Sequence, residues 1–341
     1  MSVMKFRAYC VRTAVALALA TLPIVAAAQS TPLPTPEFHH LHLNSMNPEA
    51  AIDVYTRLFA SATKATFAGQ PALKSQTDVF VLFTKVETPP ATQPTTAFWH
   101  FGWHVTDVHQ SIDQYRKLGV TLLPLHVEEN GGTVATSADT WPSAGGGLGL
   151  SKAGIANAKA KGVKPTFGAG FAYLNGPDDA VVEYQGNMAR ERFNHIHMWM
   201  EQPFCTQVWY QTHLNVVVTA RGTTPQPART QDNCRTERGP DKTWPALDAA
   251  GMHRTPSNNA MTFSDVSLYG YMNPALTPLA STRGHVMDHF GLKVANLEPW
   301  IAKLRGEGVR FLEEPYQVGD YRAILIEGPN KEAIELIEIK P

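Results

Sequence analysis

Neither sign of charge dominates this chain: 29 Lys and Arg face 30 Asp and Glu. No basic cluster stands out, so nucleic acid and acidic membrane surfaces are poor candidates as partners. Cysteine is scarce, with three in 341 residues, which excludes a disulfide-framework miniprotein and any cysteine-rich metal cluster. Long apolar runs are missing after Val25, so nothing beyond the first residues is expected to cross a membrane. What remains is a chain rich enough in apolar residues, 43%, to bury a substantial core, and long enough for about two domains.

The first residues read as a targeting segment rather than as part of the fold. Lys5, Arg7 and Arg12 precede the apolar run from Thr13 to Val25, and Ala26, Ala27 and Ala28 follow. Charge, short apolar core and small-residue exit form a secretory signal peptide over residues 1–28, with cleavage before Gln29. A single membrane anchor is the competing reading, and the run is short for it. The mature protein is therefore expected in the periplasm or secreted. Cys10 leaves with the signal peptide, and an oxidising compartment favours a structural disulfide between Cys205 and Cys234.

After a linker over residues 29–36, one pattern recurs four times: a short strand with a histidine near its start, a polar residue seven positions on, then an amphipathic helix. The first copy is His40 to Asn47, then a helix from Pro48 with Ile52, Tyr55, Leu58 and Phe59 on one face. Asn47 is suited to cap it and Pro48 to open it. The second runs from His100 to Asp107, with Ile112, Tyr115 and Leu118 on its helix. The third runs from His195 to Gln202, and the fourth from His289 to Asn296. Copies two and four also close alike, on Gly176-Pro177 leading to Glu183 and Gly328-Pro329 leading to Glu335. Copies one and three end in apolar or mixed strands near Val79 to Phe83 and Thr262 to Tyr269.

These closures lead us to pair the copies as first with second and third with fourth, giving domains over residues 37–190 and 191–341. Two Gly- or Pro-rich insertions, roughly Glu128 to Thr166 and Thr223 to Pro256, are expected as loops or lids near a binding cleft. The aromatics Trp99, Trp103, Trp199, Trp209, Tyr210 and Trp300 read mostly as core.

Strand with histidine, helix, then strands ending in Gly-Pro and a glutamate: this pattern is similar to the βαβββ module of the vicinal oxygen chelate superfamily, over essentially the whole mature chain. The resemblance implies an α+β fold of two tandem glyoxalase-like domains, each a curved sheet around a metal cleft. It implies the ligand sets His40, His100 and Glu183 in one domain and His195, His289 and Glu335 in the other. Two neutral imidazoles and a carboxylate suit Fe, Mn, Zn or Ni and leave open positions for a substrate oxygen. The extra histidine at His39 blurs the register of the first set.

His42 and His197 follow His40 and His195 by two residues, so each lines the same cleft as a candidate base or substrate contact. His104 faces the same way as His100. Extradiol dioxygenases of this family carry a histidine and a tyrosine ahead of the closing turn. Here Tyr173 holds the tyrosine place in the second module, Leu325 holds it in the fourth, and the histidine is missing from both. The leading expectation is therefore a metal-dependent lyase or isomerase of glyoxalase type acting on a small oxygen-rich molecule. An Fe(II) dioxygenase and a ligand-sequestering protein of bleomycin-resistance type are the alternatives. Four modules in one chain allow a monomer, and a homodimer is not required.

Overall fold

In the first module the strand β1 (Glu37–Ser45) alternates side chains between its two faces, sending Leu41 and Leu43 into the core while the histidines take the other side. Asn47 then stops the strand. Its side chain accepts the N–H of Ala50 at 3.1 Å, and Pro48 opens α1 (Pro48–Leu58), as the capping pattern predicts. Ala51, Ile52, Tyr55 and Leu58 form the buried stripe of that helix. Three strands complete the module: β2 (Thr63–Phe67), β3 (Gln70–Lys74) and β4 (Phe80–Lys85).

The computed structural model describes residues 32–127, 133–137, 152–163, 170–186, 188–220, 228–237, 257–275 and 277–340. The expected signal peptide and most of both expected insertions lie outside the described residues. The second module comprises β5 (Phe98–His104), α2 (Val108–Lys117), the two-residue strands β6 (Leu122–Leu123), β7 (His126–Val127) and β8 (Thr133–Val134), α3 (Lys152–Ala160), β9 (Phe171–Asn175) and β10 (Val181–Gln185). The third has β11 (Arg192–Met200), α4 (Pro203–Leu214), β12 (Val217–Thr219), β13 (Ala260–Phe263) and β14 (Val266–Met272). The fourth has β15 (Met287–Val294), α5 (Glu298–Gly306), β16 (Phe311–Val318), β17 (Tyr321–Glu327) and β18 (Ala333–Glu338).

Two eight-stranded mixed sheets result, in the orders β16-β17-β18-β15-β1-β4-β3-β2 and β12-β13-β14-β11-β5-β10-β9-β6. The α+β class and the two-modules-per-sheet plan hold. The partners differ from expectation: the first module joins the fourth through β1 and β15, and the second joins the third through β5 and β11. Each sheet therefore takes one module from either side of residue 190, and the expected halves, 37–190 and 191–341, do not correspond to the sheets.

Connection length gives the physical reason. Only residues 186–191 separate β10 from β11, whereas residues 86–97 and 273–286 separate the other modules. The short link keeps modules two and three in one sheet, and the two longer links carry the chain between sheets. Those long links run side by side, bridging Ala91 to His285 and Thr96 to Ala280.

One core cluster spans both sheets. Phe38 of β1 stacks on Phe193 of β11 at 5.6 Å and on Phe290 of β15 at 5.9 Å, while Phe59 after α1 stacks on Trp103 of β5 at 4.5 Å. Trp103, Tyr210 and Trp300 are fully buried, as expected of core aromatics.

Cys205 and Cys234 form the expected disulfide, closing a separation of 29 residues. In the chain-entropy picture such a loop contributes about 3 kcal/mol by restricting the unfolded chain. The Cys205→Ala/Cys234→Ala protein is thus expected to lose about 3 kcal/mol in urea denaturation, as is the reduced wild type. Equal midpoints for reduced and oxidised protein would refute a stabilising role.

Candidate metal centres

Each sheet brings together one strand of type His-x-His and one of type His-x-Gly. In the first sheet β1 runs antiparallel to β15, setting His40 opposite Gly291 and His42 opposite His289. In the second, β11 runs antiparallel to β5, setting His195 opposite Gly102 and His197 opposite His100. In both pairs the register shifts on either side of the two histidines, as bulges do where strands re-aim side chains at a site. The glycines make room for a ring. A Cβ on Gly291 would lie 2.0 Å from His40 Cε1, and one on Gly102 would lie 2.0 Å from His195 Cε1.

The closing strands supply the carboxylates. β18 places Glu335 beside Gly291, and β10 places Glu183 beside Gly102. The structure thus assembles His40, His289 and Glu335, with His42, in one centre, and His100, His195 and Glu183, with His197, in the other. The expected groupings exchanged His40 and His195, keeping His100 with Glu183 and His289 with Glu335, because they assumed the other module pairing. Sequence register identified the residue types; only the tertiary pairing decides which of them meet. His104 does not join either group and lies at the Arg192 end of the strand pair.

In the first centre the nitrogens of His40, His42 and His289 lie within 4.8 Å of one another. His40 Nε2 is 3.7 Å from Glu335 Oε1, and His289 Nε2 is 4.0 Å from Glu335 Oε2. His40 Nε2 and Glu335 Oε1 are buried without a hydrogen-bond partner. Stranded polar atoms of this kind are costly unless something fills the gap. Bonds of about 2.1 Å to a shared cation put ligand atoms roughly 3 to 4 Å apart, so this donor set fits a divalent metal. The centre opens into a cavity of about 350 Å³ that His42, Thr84, Arg283 and Gln317 also line.

The second centre is tighter. His100 Nε2 is 3.0 Å from Glu183 Oε2 and 2.7 Å from His197 Nδ1, while His195 Nε2 is 3.5 Å from the same carboxylate oxygen. All four residues are buried and could hold a metal. Trp199, buried in the core as expected, and Trp99, packed against that core, also flank this centre, with Trp99 centred 4.2 Å from His100 and 4.9 Å from Trp199.

Burial, with neighbouring His39, His289 and His42 adding to it, holds His40 well below the ordinary histidine value. Burial likewise lowers His100 to about 4 and His42 to about 3. These imidazoles are neutral at pH 7, the form that ligates metal. The carboxylates differ. Burial pushes Glu183 up, but His195, His100 and His197 outweigh it and leave it well below the usual range. For Glu335 burial wins over His289 and Tyr316, and its value is raised.

A tyrosine hydroxyl donates to each carboxylate. Tyr173 OH reaches Glu183 Oε2 at 3.2 Å from the adjacent β9, in register with it as expected. Leu325 does face Glu335 in register, but Tyr316 on the next strand reaches over it and donates to Glu335 Oε2 at 2.6 Å. Tyr316, Asp288, Gly102 and Gly291 escape sequence reading. A His-Phe-Gly repeated at 100–102 and 289–291 was the available signal for the glycines.

No protein-family model and no curated protein matches the sequence. Solved structures do match. The chain is similar to glyoxalase I from Zea mays, with a TM-score of 0.57 and 12% identity over 89% of this chain and 92% of that one. It is also similar to a candidate dioxygenase from Bacillus subtilis subsp. subtilis str. 168, with a TM-score of 0.51 and 12% identity over 91% of this chain and 87% of that one. The fold is the glyoxalase-type fold that these structures share. At such identities the likeness concerns the fold alone, and a shared fold does not fix the chemistry of the two centres.

Proposed function

We propose that this is an exported, divalent-metal-dependent enzyme of glyoxalase type, performing lyase or isomerase chemistry on a small oxygen-rich molecule. The observation that carries the reading is a two-histidine, one-glutamate set whose buried His40 Nε2 and Glu335 Oε1 have no other partner, at the floor of a cavity of about 350 Å³. His40, His289 and Glu335 would hold the ion in one cleft, and His100, His195 and Glu183 in the other. Fe, Mn, Zn and Ni all suit such ligands. When bound, the metal would polarise a substrate oxygen and stabilise negative charge developing on it.

The chain's own groups supply proton transfer. His42 Nε2 lies 2.6 Å from Thr84 Oγ1, so the pair can relay a substrate proton, while burial, which lowers His42 to about 3, keeps that proton from resting on the imidazole. His197 occupies the equivalent place in the second cleft. Tyr173 and Tyr316 remain protonated, because burial and the adjacent glutamate raise both phenols. They steady the carboxylates rather than act as bases. Export is supported by the basic, apolar and small-residue order of the N-terminus and by the Cys205–Cys234 disulfide. We also propose a small molecule as the sole partner needed, neither nucleic acid nor membrane after signal cleavage, and a chain that completes both clefts as a monomer.

A second reading rests on what is missing from the ligand set. The pseudo-twofold relation between paired modules puts Leu82 beside His42 and Tyr269 beside His197, where a second glutamate would complete a symmetric four-ligand site. A two-histidine, one-carboxylate face is the set used by non-haem Fe(II) oxygenases.

Metal analysis of protein reconstituted with Fe(II), Mn(II), Zn(II) or Ni(II) tests the proposal. Wild type is expected to retain metal, with His289→Ala and His100→Ala each losing the share of one centre. Oxygen uptake by the Fe(II) form with a dihydroxyaromatic probe would favour the oxygenase. Failure to retain any metal would sink both enzymatic readings and leave the ligand-sequestering one.

A further inference from the structure

The two centres share their ligand types but differ one residue outward. In the first, His40 Nδ1 lies 2.9 Å from His39 Nδ1. A proton on His40 Nε2 would be stranded, since that atom has no partner, so the shared proton belongs on His40 Nδ1, donated to His39. His289 Nδ1 donates to Asp288 Oδ1 at 2.7 Å. Asp288 is itself pinned by Arg283 Nη1 at 2.7 Å and by the N–H of Gly284 at 2.7 Å. Both imidazoles are thus locked in one tautomer and one orientation, each turning a bare Nε2 toward Glu335. An ion entering there breaks no hydrogen bond at His40 Nε2 or Glu335 Oε1.

In the second centre those outer partners are replaced. Trp99 precedes His100 where Asp288 precedes His289, and Asn194 precedes His195 where His39 precedes His40. Among the described residues His100 Nδ1, His195 Nδ1 and Asn194 Oδ1 have no hydrogen-bond partner. The inner atoms of His100, Glu183 and His197 bond one another instead, His100 Nε2 to Glu183 at 3.0 Å and to His197 Nδ1 at 2.7 Å, and of the three ligands only His195 offers a bare Nε2. An ion held by His100 and Glu183 must break these contacts, and among the described residues no outer hydrogen bond fixes the tautomer of His100 or His195. Outer partners of ligating histidines are worth about 10–100-fold in metal affinity.

We infer that the two centres are a tight and a weak metal site: the His40–His289–Glu335 centre fills first, with His39 and Asp288 as its positioning residues, and the His100–His195–Glu183 centre fills only when metal is in excess. This rests on the reading that both sets hold a metal.

The test is a titration of the chelator-stripped full chain with Zn(II) against a chromophoric chelator. Two steps separated by about 10-fold or more are expected. His289→Ala should remove the tight step and His100→Ala the weak one. Asp288→Asn should weaken only the tight step, by about 10–100-fold, leaving the weak step unchanged. His39→Phe, which keeps the ring against Phe67 and Phe80 but removes the acceptor, should do the same through His40. Two steps of equal affinity, or loss of the tight step in His100→Ala, would overturn the inference while leaving the metal reading intact. No binding at all would overturn both.

Discussion

Gly291→Ala is expected to cost the protein one metal equivalent although the substituted residue is not a ligand. Its Cβ would sit 2.0 Å from His40 Cε1, 2.4 Å from Nδ1 and 2.6 Å from Nε2. Every one of these is inside contact distance, so the ring must swing away from Glu335 or the strands must part. The backbone of Gly291 does not demand glycine; the approach of the imidazole does. Overpacking of this kind costs about 1–3 kcal/mol. Losing a ligand outright should weaken the site by more than the roughly 10–100-fold that outer partners carry.

The control is the double variant Gly291→Ala/His40→Ala. Removing the ring should relieve the strain and restore the denaturation midpoint, while metal stays absent, a non-additivity typical of directly touching residues. Gly102→Ala is expected to act in the same way on the other centre through His195, 2.0 Å from the added carbon. Wild-type metal content and midpoint in Gly291→Ala would mean that His40 does not need its present position to bind.

Glu332→Gln is expected to flatten the fall of stability with pH between about 4.5 and 7. Glu332 is fully buried and forms no ion pair among the described residues, and burial raises it to about 7 despite hydrogen bonds from Tyr210 OH at 2.8 Å and the Asn330 N–H at 2.7 Å. The folded protein therefore holds a proton that the unfolded chain has released once pH passes the ordinary carboxyl value of 4.5. Stability from the neutral acid is complete below that value and is lost as pH rises through about 7. The difference amounts to about 3 kcal/mol across the window.

The buried histidines act in the opposite sense. His39 and His100, each lowered to about 4 chiefly by burial, add stability above their ordinary value of 6.5 that is lost as pH falls toward 4. The two trends overlap, so the wild-type profile alone does not separate them. The difference between wild type and Glu332→Gln in urea denaturation from pH 5 to 8 does. A constant difference across that range would mean that Glu332 is ionised throughout.

Local chemistry was legible in the sequence wherever it depended on residues close together along the chain. Asn47 followed by Pro48 specified a cap and a helix start, and both formed. The period-two placement of His40 with His42, and of His195 with His197, put each pair on one face of a strand. The offset from the Gly-Pro turns to Glu183 and Glu335 placed both carboxylates at a cleft. The cysteine count led to the disulfide that formed.

What the sequence by itself determined is the module and its inventory: four strands each bearing a histidine, two glutamates, and an α+β fold of curved sheets. Tertiary structure alone decided which modules share a sheet. A His-x-His strand fits a His-x-Gly strand, but that rule is satisfied equally by pairing the first module with the second or with the fourth. The choice falls to the six residues 186–191, too few to leave the sheet, and to the longer links at 86–97 and 273–286 that cross between sheets. The outer groups followed from that choice. Tyr316 reaches Glu335 from a neighbouring strand, and Asp288 is held by a turn at Arg283 and Gly284. A strand's own pattern says which side its residues face; it carries no information about what another strand, many residues away, will set against them.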